Sequence, residues 1–202
     1  MAESSSTSSS IVLPTRELRR EEIEEAWRVY EEVLGSPRFI MAPMVDGSVL
    51  PFRMLGRQHG CELCYTPMIN SKVFVSDSTF RSSDRNFCNT STEDAPHCVA
   101  QICGNDVDVM CECACMLASE PEEKRFVGID VNLGCPQRVA RKGMFGAFLA
   151  DGDPELAVEI VRRLRQSLDN LFISQQQSMM TNPSSSSTKK KRAMPVFCKI
   201  RV

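Results

Sequence analysis

Residues 97–135, HCVAQICGNDVDVMCECACMLASEPEEKRFVGIDVNLGC, decide the fold because they alternate between two kinds of apolar pattern. Residues 97–104 and 126–135 are short runs of almost continuous apolar character, as expected for strands that are buried on both faces. Between them, residues 106–118 place their apolar side chains at helical spacing. A strand, a helix and a second strand in this order predict two parallel strands joined by a crossover helix.

The same alternation extends outward in both directions. The predicted strands are 39–42, 62–66, 97–103, 127–133 and 195–201, and the predicted helices of this region include 50–59, 106–118 and 153–168. Successive strand–helix units without a Gly-rich dinucleotide fingerprint favour an α/β barrel over a Rossmann sheet. Because a complete TIM (β/α)8 barrel takes about 250 residues, residues 36–202 are predicted to be an incomplete TIM barrel with about five of its eight parallel strands.

Three segments lie outside this alternation. Residues 1–14 are a Ser/Thr-rich tail that we expect to be disordered. Residues 15–35 have helical spacing of apolar side chains, so they predict an N-terminal helix that Thr15 would cap. Residues 169–193 are rich in Gln, Ser and Lys and predict a disordered, low-complexity insertion. The KKKR run at 189–192 resembles a nuclear-localisation signal, but we favour a solvated basic loop.

The composition excludes several classes of protein. The chain has 202 residues, 42% of them apolar and 25% charged, which is typical of globular domains. No apolar run is long enough to span a membrane, and the N-terminus has no secretory signal pattern. Reduced thiols therefore explain the ten cysteines better than a disulfide scaffold does. We expect a cytoplasmic protein, with the nucleus as second candidate and an organelle third.

The net charge of −2 indicates no overall basic surface, so any nucleic-acid partner requires a local patch. The predicted strand ends carry chemistry that a purely structural end does not need: amides, a thiol, a cation and prolines. Those ends read Ala42-Pro43-Met44, Tyr65-Thr66-Pro67-Met68, Gln101-Ile102-Cys103-Gly104, Asn132-Leu133-Gly134-Cys135-Pro136 and Lys199-Ile200-Arg201. Barrel active sites are built at this edge of the sheet, so we expect these side chains to converge.

Five segments in register resemble the tRNA-dihydrouridine synthase family. They are IMAPMVDGSVLPFR, ELCYTPM, AQICG, GIDVNLGCPQRVARKGMFGAFL and PVFCKIRV. The resemblance covers about residues 37–165 and 194–202. Within the family, LCYTPMINSKVF is most similar to the eukaryotic branch that acts near tRNA positions 16 and 17. The resemblance implies FMN-dependent reduction of uridine to 5,6-dihydrouridine in tRNA, with NADPH as the reductant.

The resemblance also implies residue roles. Cys135 would be the acid that donates the proton, because a neutral thiol can donate at pH 7. Pro43, Met44 and Val45 would pack against the flavin ring and hydrogen-bond to it through their backbone. In the same interpretation the amide of Gln101 would bind the pyrimidine edge of the ring.

Three further residues complete the implied site. Lys199 would lie beside the flavin where its charge favours the reduced form, and a charge inside a strand needs an anionic partner in any case. Asn132 would hydrogen-bond to the uracil or the flavin. Arg138 would contact tRNA phosphates, together with Arg141 and Lys142, although a solvated helix start explains these cations equally well. The complete enzyme is expected to be a monomer.

Two alternatives to the synthase interpretation stay open. One is a non-catalytic half-barrel that acts as a binding or interaction module. The other is a flavin oxidoreductase for small pyrimidines, of the dihydropyrimidine or dihydroorotate kind, which the GMFGAFL segment disfavours. Because the family's later strands and helical tRNA-binding domain have no counterpart in these residues, we expect residues 1–202 alone to bind FMN weakly and to lack synthase activity.

The cysteine clusters do not predict a metal site. Cys61 and Cys64 have the spacing of a metal knuckle, but strand alternation would turn them to opposite faces. The three cysteines between 111 and 115 cannot all share one face of a helix. Since a structural zinc site needs four convergent ligands, we expect no bound metal.

Overall fold

A computed structural model describes residues 19–82, 90–121, 124–181 and 192–201. Its centre is a parallel sheet in the order β1-β2-β4-β5-β6, with β3 paired to β4. The strands are β1 Ile40–Met41, β2 Leu63–Tyr65, β3 Ile69–Asn70, β4 Cys98–Cys103, β5 Gly128–Leu133 and β6 Val196–Ile200. All five predicted strands are present and all pair in parallel, which confirms the incomplete TIM barrel.

Helices connect these strands and cover one face of the sheet. They are α1 Arg20–Arg28, α2 Leu50–Gln58, α3 Ser71–Ser76, α4 Ser78–Ser82, α5 Val107–Ala118, α6 Arg138–Lys142, α7 Ala147–Gly152 and α8 Pro154–Thr181. A π-helical turn, Val29–Val33, extends α1, and a 3-10 turn, Ala95–His97, leads into β4.

The sequence prediction missed β3. Pro67 has no backbone N–H, so it interrupts the strand beside β4 and divides it into β2 and β3. The first segment pairs with the start of β4 and the second with its end. At the interruption, the hydroxyl of Thr66 accepts a hydrogen bond from the backbone N–H of Gln101 at 3.0 Å. This side chain therefore replaces part of the missing backbone ladder.

Alternation along β4 and β5 divides the sheet into two faces. Ile102 and Ile129 face outward and pack in the main core with residues of α5 and α8, such as Met110 and Leu164. The neighbouring positions, which include Gln101 and Asp130, face the inside of the curled sheet. Polar side chains are therefore concentrated on the concave face.

Two predicted boundaries are wrong. Helix α8 continues to Thr181, whereas the insertion was predicted to begin at residue 169. Leu168 is buried and Leu171 packs against the core, so the apolar stripe continues, and the Gln residues that follow tolerate helix well. The remainder of the predicted insertion, 182–191, lies outside the described residues.

At the N-terminus, helix α1 begins at Arg20 instead of following Thr15. Its cap is formed by Glu22, whose carboxylate accepts the backbone N–H of Arg19 at 2.9 Å. The predicted tail, residues 1–14, and Thr15 itself lie outside the described residues.

Candidate functional site

A cavity of about 400 Å³ opens at the carboxyl ends of the strands. It is lined by Pro43, Met44, Val45, Met68, Gln101, Asn132, Gly134, Cys135, Gln137 and Lys199. Seven of the eight residues predicted for the site lie in this lining. The eighth, Arg138, follows Gln137 in the chain and begins α6 at the edge of the cavity.

The loop that carries Pro43, Met44 and Val45 is closed by Ser48. The Ser48 hydroxyl accepts the backbone N–H of Met44 at 2.9 Å and donates to the Met44 carbonyl at 3.2 Å. Ser48 is fully buried. The backbone of Met44 therefore has a fixed position at the mouth of the cavity.

A buried ionic network holds this loop from behind. Arg53 donates one hydrogen bond to the Ser48 carbonyl at 2.7 Å and two to Oδ2 of Asp94 at 2.7 and 3.0 Å. Arg57 binds Oδ1 of Asp94 at 2.8 Å and the carbonyl of His97 at 2.8 Å. Burial raises the pKa of Asp94, but the hydrogen bonds and charges of both arginines outweigh burial and hold that pKa below its usual value.

Four hydrogen bonds link three side chains and two backbone N–H groups in a chain along the cavity floor. Gln101 donates through Nε2 to Oδ2 of Asp130 at 2.7 Å, and its Oε1 accepts from Nδ2 of Asn132 at 2.9 Å. The Oδ1 of Asn132 then accepts the backbone N–H groups of Gly134, at 3.2 Å, and Cys135, at 3.0 Å. Three of the predicted site residues are thereby linked in a single network.

Asp130 is the member of this network that the sequence analysis did not select. It is fully buried, and among the described residues its Oδ1 has no hydrogen-bond partner. Burial raises its pKa to about 6, and the hydrogen bond from Gln101 and the positive charge of Lys199 counteract only part of that rise. Lys199 itself is exposed, so it does not need the anionic partner that was expected for a lysine inside a strand.

A sequence signal for Asp130 did exist. An acidic residue in the apolar run GIDVNL is as costly to bury as the lysine in PVFCKIRV. Asp130 also lies two residues before Asn132, so both side chains face the same side of β5. Of the other lining residues, Met68 and Gly134 belong to the predicted strand ends but were assigned no role, and Gln137 had no such signal.

The loop of Cys135 is packed against Gly146. The backbone N–H of Ala147 donates to the Cys135 carbonyl at 3.1 Å. Gly146 has a φ of 65°, and a Cβ at this position would lie 2.7 Å from the Cys135 carbonyl oxygen. Only glycine permits this contact, so the segment KGMFGAFL fixes the position of the thiol-bearing loop. Burial and the neighbouring Cys135 raise the pKa of Cys103, which lies behind this loop, to about 12.

The prediction for Cys61 and Cys64 is wrong in its geometry. Their sulfur atoms lie 3.6 Å apart, because Cys61 precedes β2 and strand alternation does not apply to it. Within the described ranges, no group of three His, Cys, Asp or Glu side chains could hold a metal ion. In the same residues, no helix has both the length and the apolar character needed to cross a membrane.

Comparison with protein families gives a match to the dihydrouridine synthase profile over residues 40–181. The chain is 41% identical over 127 residues to the tRNA-dihydrouridine(16/17) synthase (NAD(P)(+))-like protein of Rattus norvegicus, covering 63% of this chain and 27% of the rat protein. It is 36% identical over 141 residues to the corresponding 16/17 enzyme of Schizosaccharomyces pombe, and 37% identical over 131 residues to a 20a/20b-type relative of Mus musculus. The chain spans about a quarter to a third of the length of the first two relatives.

Proposed function

Because the chain belongs to the dihydrouridine synthase family, we propose that its cavity is the ring-binding and proton-donating part of a site that reduces uridine in tRNA to 5,6-dihydrouridine. The observation that supports this proposal most strongly is the convergence of Met44, Gln101, Asn132, Cys135 and Lys199 on one cavity. In this proposal, FMN supplies the hydride and is recharged by NADPH.

The residues present fit a flavin ring. The cavity volume of about 400 Å³ lies in the range of small-molecule sites. Pro43, Met44 and Val45 offer apolar surface beside backbone polar groups, and Lys199 offers a positive charge. Gln101 uses one Nε2 hydrogen for Asp130, so its second N–H is available to an acceptor atom of the ring.

Cys135 is the proton donor in this proposal. Its loop is fixed by Asn132 on one side and by Gly146 on the other, and the residue is partly buried in the cavity lining. A general acid must lie within hydrogen-bond reach of the atom that it protonates, and a lining thiol satisfies that condition once uracil enters the cavity.

In this proposal, tRNA binds at the rim of the cavity. Arg138, Arg141 and Lys142 belong to α6, which follows the Cys135 loop directly. Cations at this place suit contacts to tRNA phosphates, which position the nucleic acid and carry no sequence information. The similarity to 16/17-type relatives supports positions 16 and 17 as the target, and we propose a cytoplasmic location with the nucleus as second candidate.

The proposal is tested with Cys135→Ala in a protein in which this chain is followed by the family's later strands and tRNA-binding domain, measured in two ways. We expect saturable FMN binding, followed by flavin fluorescence, to be retained because the thiol does not hold the cofactor. Dihydrouridine in unmodified tRNA, measured by mass spectrometry, is expected to fall to background. Cys115→Ala on α5 is the matched control and is expected to leave both measurements unchanged. Wild-type turnover by Cys135→Ala overturns the acid role, and loss of flavin reassigns Cys135 to binding.

A further inference from the structure

Asp130 is a costly residue for the position that it occupies. A buried carboxylate is stabilised by paired charges, but Asp130 has a neutral amide as its hydrogen-bond partner and leaves Oδ1 without one among the described residues. A buried acceptor without a partner costs about 1–3 kcal/mol. The fold does not require this carboxylate, since a well-packed apolar residue would be less costly at this position.

The chemistry of a carboxylate gives it one property that an amide lacks. An ionised carboxylate only accepts hydrogen bonds, whereas each amide side chain donates through nitrogen and accepts through oxygen. Gln101 must therefore turn its Nε2 toward Asp130 and its Oε1 toward Asn132. Asn132 donates through Nδ2 to Gln101 and accepts the backbone N–H groups of Gly134 and Cys135 through Oδ1. The hydrogen bonds therefore all point one way, from two backbone donors in the loop to a carboxylate acceptor at the buried end.

We infer that Asp130 is a positioning residue: its carboxylate, which only accepts hydrogen bonds, fixes the buried end of the chain through Gln101 and Asn132 and thereby helps to hold the Cys135 loop in place. This inference rests on the proposed function for the role of Cys135, but the positioning itself concerns residues of this chain.

The test uses the alkylation rate of Cys135 by iodoacetamide, measured by peptide mass spectrometry in the protein without cofactor. Asp130→Asn preserves the size of the side chain but no longer presents only acceptor atoms to Gln101, because the new amide can turn either way. We expect Cys135 to be alkylated about fivefold faster, which is the effect of losing one neutral hydrogen bond. Cys115 in the same molecule is the internal reference, and its rate is expected to stay constant.

A double-mutant cycle separates positioning from general loosening. Asn132→Ala removes the last link and is expected to accelerate alkylation of Cys135 by a similar factor. If Asp130 acts through Asn132, Asp130→Asn has no further effect in the Asn132→Ala background. Independent, multiplicative effects of the two substitutions would overturn the inference, and so would an unchanged rate in Asp130→Asn.

Two features keep the test decisive. If Asp130→Asn does not yield folded protein, Gln101→Met cuts the chain at its next link, and an unchanged Cys135 rate in that variant also overturns the inference. Because alkylation is measured without flavin or tRNA, its outcome does not depend on whether Cys135 is the acid. A failed proton-donor role and a failed positioning role are therefore distinguished.

Discussion

Among the described residues, two aspartates are fully buried, and their surroundings differ in charge. Asp94 is bound by Arg53 and Arg57, and its pKa lies below the usual value. Asp130 is bound by the amide of Gln101, and its pKa is raised to about 6. A buried carboxylate that has two guanidinium partners stabilises the structure around it, whereas one that has a neutral partner carries a cost that only a role in the site explains.

The largest expected effect concerns Asp94. Asp94→Asn keeps the shape of the side chain but leaves the buried guanidinium of Arg53 without its counter-charge. We expect the free energy of unfolding, measured in urea, to fall by about 3–5 kcal/mol. Asp108→Asn removes a carboxylate of an exposed ion pair with Arg163 and is expected to cost less than about 1 kcal/mol. Equal losses in the two variants would contradict a structural role for the buried network.

The second prediction is that the two aspartates make the free energy of unfolding depend on pH with opposite signs. The native state binds the Asp130 proton more firmly than the unfolded chain does, so stability falls as the pH rises from about 4 to about 6. Asp94 contributes stability above its unfolded pKa of 3.8, and this contribution is lost as the pH falls through its lower native pKa. Tyr65 and Cys198, whose pKa values burial raises to about 12 and about 11, do not titrate in either window.

The measurement compares the wild type with Asp130→Asn in urea between pH 4 and pH 8. The variant is expected to gain on the order of 2–3 kcal/mol relative to the wild type as the pH rises to about 6, and nothing further above it. A difference between the two proteins that does not change with pH would show that Asp130 titrates normally in the native state.

The third prediction concerns Gly146, which supports the Cys135 loop on the side opposite Asn132. Gly146→Ala places a methyl group against the Cys135 carbonyl in a backbone conformation that L residues rarely adopt. We expect a loss of about 2 kcal/mol in unfolding free energy, together with faster alkylation of Cys135. In Gly152→Ala the methyl group makes an ordinary 3.8 Å contact with Met144, so this control is expected to retain wild-type stability and Cys135 reactivity. A Gly146→Ala variant that matches this control would show that Gly146 does not support the thiol loop.

The fold and most of the cavity lining were predictable from local patterns. Continuous apolar runs such as VGIDV define strands, and residues at the carboxyl ends of parallel strands meet at one edge, so Gln101 and Cys135 were brought together without any contact being known. The error at α8 has a local cause, because a run of Gln and Ser resembles a linker until its buried neighbours are seen.

What the sequence did not reveal depends on contacts between distant positions. Arg53 and Asp94 lie 41 residues apart, and nothing in either segment alone indicates that they pair. Gly146 is required because the Cys135 backbone approaches it, and this approach exists only in the folded chain. Asp130 could have been predicted, since an acidic residue in an apolar strand, on the same strand face as Asn132, is already visible in the sequence pattern.

The smallest expected effect tests whether the Asp94 region also serves the site. Ser48 connects the buried ion network to the cavity, because its carbonyl accepts a hydrogen bond from Arg53 while its hydroxyl binds the backbone of Met44. Ser48→Ala keeps the first contact and removes the second, so we expect a modest loss of about 1 kcal/mol in stability. FMN affinity, measured by fluorescence titration, is expected to fall about fivefold, which corresponds to the same free energy. Ser119→Ala removes an exposed hydroxyl bond, to the Cys115 carbonyl at 2.7 Å, which is not part of the cavity lining. Because water can replace this bond, the control is expected to lose less stability than Ser48→Ala and no FMN affinity. If Ser48→Ala loses stability but no FMN affinity, the buried ion network supports the fold without ordering the loop of Pro43, Met44 and Val45. Asp94 would then have a structural role only, in contrast to Asp130.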